Sequence, residues 1–292
     1  MSFIDINFTK AKRFIKNGNI LKAKVIFENI LLKYPNNTRA KNSLNSIINE
    51  LNFESKSIKT DVSYEIEAVN EVIFLYKKNM ITEAFTKGEI LNKKFKNNEK
   101  LIVTLGCLYR EMANVTKAID CFNEALKLNP KSTEAMLNMG AILIDIGEND
   151  NAIEYYINAI KIDEKCFNAY GNLGCFYTSI GDYEKALEYF KSGIQIAPND
   201  PGLFANMGYT YHQMKNIAEA HRCFFRSLDF DPNYLVTHIN QGVLYLKSGD
   251  YNNAIMSFEH ALRIDEKSIE ANLNYAALLA DIGRYNEATN YI

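Results

Sequence analysis

The 292-residue sequence has no Trp, five Pro and four His, and each scarcity removes a class of explanation. His212, His221, His238 and His260 show no metal-ligand spacing, and the five Cys include no CxxC pair, so no metal site is expected. There is no nucleophile elbow and no phosphate-binding loop, and nothing implies a cofactor. The residues present therefore do not read as an enzyme. Nowhere do about 18 apolar residues run together, and Met1 to Asp5 lack a basic region leading into an apolar run. Membrane insertion is not expected, and the chain reads as cytoplasmic. Formal net charge is −2, so no strong basic character points to nucleic acid. The distribution is uneven: residues 1–64 carry eleven basic against five acidic side chains, a net +6 that leaves −8 for the remainder. A basic arm could steer an acidic partner, but lysines scattered over exposed helix faces are the commoner explanation.

What the sequence does contain is a period. Asn138, Asn172, Asn206, Asn240 and Asn274 lie 34 residues apart, which is the signature of a repeat array. Counting from residue 99, the eighth residue of each repeat is Gly106, Gly140, Gly174, Gly208, Gly242 or Ala276, and the twentieth is always Ala. Small residues at both places let two antiparallel helices approach closely. Aromatics at the twenty-fourth position, Phe122, Tyr156, Phe190, Phe224 and Phe258, fill the space beside them. Cys107 and Cys175 share one repeat position and Cys121 and Cys223 another, as small packing residues do.

Pro130, Pro198 and Pro232 end second helices, and Glu164 and Glu266 stand in for Pro in two repeats, where the helix is expected to run on. The acidic pairs Asp163-Glu164 and Asp265-Glu266 at those junctions read as helix caps. Turns such as Gly147 to Asp150, Gly181-Asp182 and Gly249-Asp250 offer a C-terminal Gly followed by an Asp or Asn N-cap. The expected organisation is a unit plus a following helix over residues 1–50, and a linker or irregular helix over 51–64. A degenerate repeat follows over 65–98, then five repeats at 99–132, 133–166, 167–200, 201–234 and 235–268, and an incomplete one at 269–292.

Leu173-Gly174, Tyr177, Ala186, Phe190 and Pro198, with their equivalents in the neighbouring copies, resemble the tetratricopeptide repeat (TPR). The resemblance implies an all-α fold, a right-handed α-α superhelix of helix pairs whose concave groove is lined by the first helix of each pair.

Helical geometry then places the ladder. If the eighth residue faces the partner helix, the sixth, about 200° around the axis, faces away from it. The second, sixth, ninth and thirteenth residues share that outward stripe: Asn168, Asn172, Cys175 and Ser179 in one repeat, Gly202, Asn206, Tyr209 and Gln213 in the next. His212 is expected beside the latter. An Asn carboxamide can bond the C=O and N–H of one peptide unit, and an extended chain rises about 3.3 Å per residue. Side chains about 10 Å apart, the spacing of packed helices, would meet it at roughly every third residue. The candidate peptide-binding set is Asn138, Asn172, Asn206, Asn240, Asn274, Tyr209, His212 and Gln213. Two other readings stay open: the five Asn are a residue common at this TPR position and inherited by duplication, and Tyr209 packs on Tyr211 or the next repeat.

A repeated groove Asn is similar to the superhelical region of O-GlcNAc transferases, where it holds the backbone of peptide substrates. The match lapses at Thr104. The carboxylate clamp of chaperone-binding TPR proteins needs basic residues and Asn at the fifth and ninth positions, and Gly171, Ala205, Cys175 and Tyr209 stand there instead. Ile292 falls in the middle of a second helix, so the sequence is expected to continue into more repeats or a transferase domain. Three functions follow: a scaffold binding a protein or peptide in its groove, the substrate-recruiting region of a transferase, or a homo-oligomeric assembly scaffold.

Overall fold

The computed structural model describes residues 3–291, with side chains described for 4–48 and 62–291. All regular structure in that range is helical, and the chain divides into two compact units, Met1–Phe95 and Lys96–Ile292. Among the described residues no helix is long and apolar enough to cross a membrane.

In the first unit, α1 (Phe3–Lys16) and α2 (Ile20–Lys33) turn back on each other at Gly18, whose φ of 72° suits a residue without Cβ. Phe8 and Phe27 meet edge to face at 5.1 Å over Ala11 and Ala23, which are wholly buried. α3 (Thr38–Lys77) begins where Asn37 Oδ1 accepts from the Ala40 N–H at 2.9 Å, and it continues for 40 residues. Of the two expectations for 51–64, a linker or an irregular helix, the first is corrected: the backbone there is the middle of one helix. The reason lies in what is missing: no Gly or Pro occurs between Pro35 and Gly88, and polarity alone does not end a helix. The side chains of 49–61 lie outside the described residues. The last turns of α3 bury Ala68, Val69, Val72 and Leu75, and α4 (Ile81–Lys94) brings Ala84 and Leu91 against them.

The second unit is a run of helix pairs: α5 (Glu99–Glu111) with α6 (Val115–Leu128), α7 (Thr133–Asp145) with α8 (Asn149–Ile162), and α9 (Phe167–Ser179) with α10 (Tyr183–Ile196). α11 (Pro201–Gln213) with α12 (Ile217–Phe230) and α13 (Leu235–Lys247) with α14 (Tyr251–Ile264) follow. α15 (Ile269–Asp281) then leads to a short α16 (Tyr285–Ala288) and a 3-10 turn. The twenty-fourth residue of the truncated repeat, Ile292, lies outside the described residues.

The aromatic at the twenty-fourth position sets the closeness of each pair. A Cβ built on Gly174 would fall 2.6 Å from Phe190 Cε1, and one on Gly140 would fall 2.5 Å from Tyr156 Cε1. The glycine is thus required by the ring, while the twentieth residue, Ala186 or Ala152, is itself wholly buried. Turn glycines Gly147, Gly181, Gly249 and Gly283 adopt φ of 78° to 82°. Asp182 and Asp250 cap the next helix through Oδ1, accepting from Lys185 and Asn253 N–H, as expected. In the turn at Gly147 the cap position falls on Glu148, which makes no side-chain cap bond, and Asn149 and Asp150 lie inside the helix.

The second helices without a following proline do not run on. α8 and α14 stop at Ile162 and Ile264, in register with the helices that precede Pro198 and Pro232. Asp163 and Asp265 end them, because each carboxylate accepts from the N–H two residues on, at 3.0 Å, and holds the chain in a turn.

Candidate peptide-binding groove

Within the second unit, each first helix packs on its own second helix and also on the first helix of the next repeat, from α5·α7 to α13·α15. Among the described residues no Cα atoms of successive second helices come within 8 Å of each other. First helices therefore form the inner layer and second helices splay outside it. The stripe that points away from the partner helix is the inner surface.

The five asparagines lie on that stripe and are all half-buried, but they behave in two ways. Asn138 and Asn274 donate their Nδ2 to the carbonyls of Glu134 and Glu270 on their own helices, both at 2.9 Å. Asn172, Asn206 and Asn240 make no side-chain hydrogen bond among the described residues, and their polar atoms stay open to solvent. Thr104, where the ladder lapses, is buried and donates its hydroxyl to Lys100 O at 2.8 Å.

Asn206, Tyr209 and Gln213 are brought together with Cys175, Thr178 and Ser179 around a cleft of about 390 Å³ between α9 and α11. Tyr209 is 41% exposed, so its ring is presented to the cleft and is not packed away. Asn172 lines the neighbouring cleft between α7 and α9, about 210 Å³, with Ala141, Asp145 and Cys175. The walls of the first cleft are tied by the hydroxyls of Thr178 and Thr210, buried and 2.8 Å apart. At the α5 end, Arg110 donates to Asp145 Oδ2 through Nη2 at 2.7 Å and through Nε at 3.0 Å. Between that pair and Lys247 of α13, the stripe carries no charged side chain on α9 or α11. The Thr178–Thr210 and Arg110–Asp145 links join neighbouring repeats and leave no mark in a single repeat's pattern.

His212 is not part of this surface. It is only 7% exposed, and the sequence expectation that set it beside Gln213 is corrected. Six residues beyond Asn206 it has turned about 120° from the stripe, toward the buried side of α11. Burial holds its pKa below the usual histidine value, and Lys247 on the next first helix adds to the shift. Cys175, unlike the buried Cys223, is exposed on the groove face. Among the described residues no group of three His, Cys, Asp or Glu side chains could hold a metal ion.

Antiparallel helix pairs stacked with first helices inward define a helical-repeat solenoid. Tetratricopeptide repeat family models match residues 64–210, 202–234 and 245–292, and the chain belongs to this family. The fold is similar to a tetratricopeptide repeat protein from Parabacteroides merdae, with 16% identity, 94% of this chain and 98% of that one covered, and a TM-score of 0.64. It is also similar to a thermophilic TPR protein of Thermus thermophilus, with 21% identity, 63% and 100% coverage and a TM-score of 0.58. A third likeness is to the APC/C hetero-tetramer Cut9–Hcn1, with 17% identity, 98% and 51% coverage and a TM-score of 0.61. These likenesses establish the TPR solenoid as the fold. No curated protein sequence matches the chain.

Proposed function

We propose that the protein is an interaction scaffold that holds an extended peptide or disordered segment of a partner along the inner face of its second unit. Asn172, Asn206 and Asn240 contact the partner's backbone, and Tyr209 and Gln213 flank them. The observation that carries this reading is the state of those three carboxamides. They project from successive first helices, are half-buried, and have no hydrogen-bond partner among the described residues. A carboxamide offers donors and an acceptor together, the complement of a peptide unit. The absence of charge on the α9 and α11 stripe suits recognition of main chain over side-chain charge.

The test is the double variant Asn172→Ala/Asn206→Ala, assayed with a peptide selected against the wild-type protein from a random library. Each carboxamide makes two bonds worth a net of about 0.5 to 1.5 kcal/mol apiece, so the loss of four should weaken binding by at least about thirtyfold. Thermal stability should be unchanged, because neither side chain is hydrogen-bonded among the described residues. Unchanged affinity with a lowered melting temperature removes the ladder from the account. Backbone N-methylation of the peptide should weaken binding where side-chain substitutions do not.

A further inference from the structure

The outer layer carries a cleft of its own. On the side of the second unit opposite the ladder, no Cα atoms of α6 and α8 come within 8 Å of each other, and a space of about 480 Å³ opens between them over α7. Ile119, Met139 and Leu143 line its apolar part, and Met139 and Leu143 are only 2% and 7% exposed, so this floor is set by the core. Asn123 on α6 and Glu154 and Tyr155 on α8 stand around it.

The polar groups of this cleft are mostly unused. Among the described residues the Glu154 carboxylate, the Asn123 carboxamide and the Tyr155 hydroxyl have no protein partner. Asn151, also lining the cleft, donates Nδ2 to Glu148 Oε2 at 2.7 Å, which leaves its own oxygen as an acceptor. Asn158 is engaged, its Oδ1 accepting from Lys161 Nζ at 3.2 Å. The cleft thus combines one unpaired anion, two free amide oxygens, an aromatic ring and an aliphatic floor. Those are the demands of a guanidinium on a three-carbon stem: a carboxylate for its paired N–H groups, further acceptors for the remaining donors, and apolar surface under the stem.

The corresponding positions between α10 and α12 carry Lys191, Arg222 and Arg226 beside Glu219, whereas those between α8 and α10 keep the acid and the ring as Glu188 and Tyr189 but have Ile157 and Lys185 in place of Asn123 and Asn151.

We propose that this cleft binds an arginine side chain presented by a partner protein, as a second interaction site independent of the inner groove. The probe is N-acetyl-arginine methylamide, titrated into the full chain while the Met139 methyl and Tyr155 ring signals are followed by NMR. Saturable shifts in the millimolar range are expected there, with the Asn206 side-chain amide unmoved. The citrulline analogue has the same shape without the charge, and it should bind about tenfold more weakly or not at all. Glu154→Gln, at an exposed position that leaves the fold intact by circular dichroism, should reduce arginine binding to a similar degree. The proposal is overturned if no signal shifts, if citrulline or the lysine analogue binds as well as arginine, or if Glu154→Gln binds arginine like the wild type.

Discussion

Replacing Gly174 by Ala tests whether the ring of Phe190 determines how closely a helix pair packs. The added Cβ would lie 2.6, 2.7 and 2.8 Å from Cε1, Cζ and Cδ1 of Phe190, which is wholly buried. Overpacking of this kind costs about 1 to 3 kcal/mol. Against it stands the better helix propensity of Ala, about 1 kcal/mol at an interior helical position. In the wild-type background the two effects partly cancel, and a net loss of up to about 2 kcal/mol is expected. In a Phe190→Val background the ring is gone and only the propensity term remains, so the same substitution should become stabilising by about 1 kcal/mol. Repeat arrays depart from two-state unfolding, so hydrogen exchange of the α9 and α10 amides should be measured alongside thermal melting. Additivity of the two substitutions within about 0.5 kcal/mol would refute the packing argument, since groups that do not touch do not couple. So would stabilisation by Gly174→Ala alone.

Lys215 occupies the turn position held elsewhere by Gly147, Gly181 and Gly249, and its φ of 60° is strained for a residue with a Cβ. Lys215→Gly relieves about 1 to 2 kcal/mol of strain and adds up to about 1 kcal/mol of unfolded-state entropy. A gain of about 0.5 to 1 kcal/mol in chemical denaturation is expected, and a lower midpoint would count against the strain. Stability should also fall with acid. Burial lowers the pKa of His212, His221 and His260 in the folded protein, with Lys247 adding to the effect at His212 and His238 and Arg263 at His260. The unfolded chain therefore takes up protons first, and the stability present above about pH 6.5 is lost as pH drops through the folded values. Melting temperatures at about pH 7.5 and 5.5 should differ in that direction, and His212→Gln should reduce the difference.

Much of this architecture is legible in the sequence because each repeat states the same packing rule: a Gly under a ring, an Ala opposite, a turn Gly at the end of the first helix. A period reports what a residue does within its own pair and is silent about contacts between pairs. His212 shows the difference. Its counterparts at the twelfth position are Arg110, Ile144, Thr178, Leu246 and Ala280, and the apolar Ile144, Leu246 and Ala280 were the available signal that this position turns inward, a signal that Arg110 weakens. The 40-residue α3 was hidden for another reason, since a polar stretch reads as a linker unless its lack of Gly and Pro is weighed first. Helix ends at Ile162 and Ile264 coincide with an aspartate's bond to the backbone two residues on, the same bond that Asn129 and Asp231 make beside Pro130 and Pro232, so the turn forms with or without the proline. The cleft between α6 and α8 needs residues from three helices and has no sequence signature at all.

The division of labour along the groove follows from magnitudes. Three free carboxamides, each making two bonds at a net 0.5 to 1.5 kcal/mol, supply about 3 to 9 kcal/mol. Association consumes about 4 to 15 kcal/mol before any net affinity appears. The ladder alone therefore leaves a weak complex at best, and because it contacts main chain it treats most sequences alike. In the proposed complex the remaining energy and the choice of partner would come from a side chain seated beside Tyr209, in the cleft of about 390 Å³ between α9 and α11. That cleft is already formed, its walls joined by the buried contact of Thr178 and Thr210, so little ordering is left to be done on binding. On the proposed reading the ladder would fix the register of the bound chain, and the cleft would decide which chain is bound.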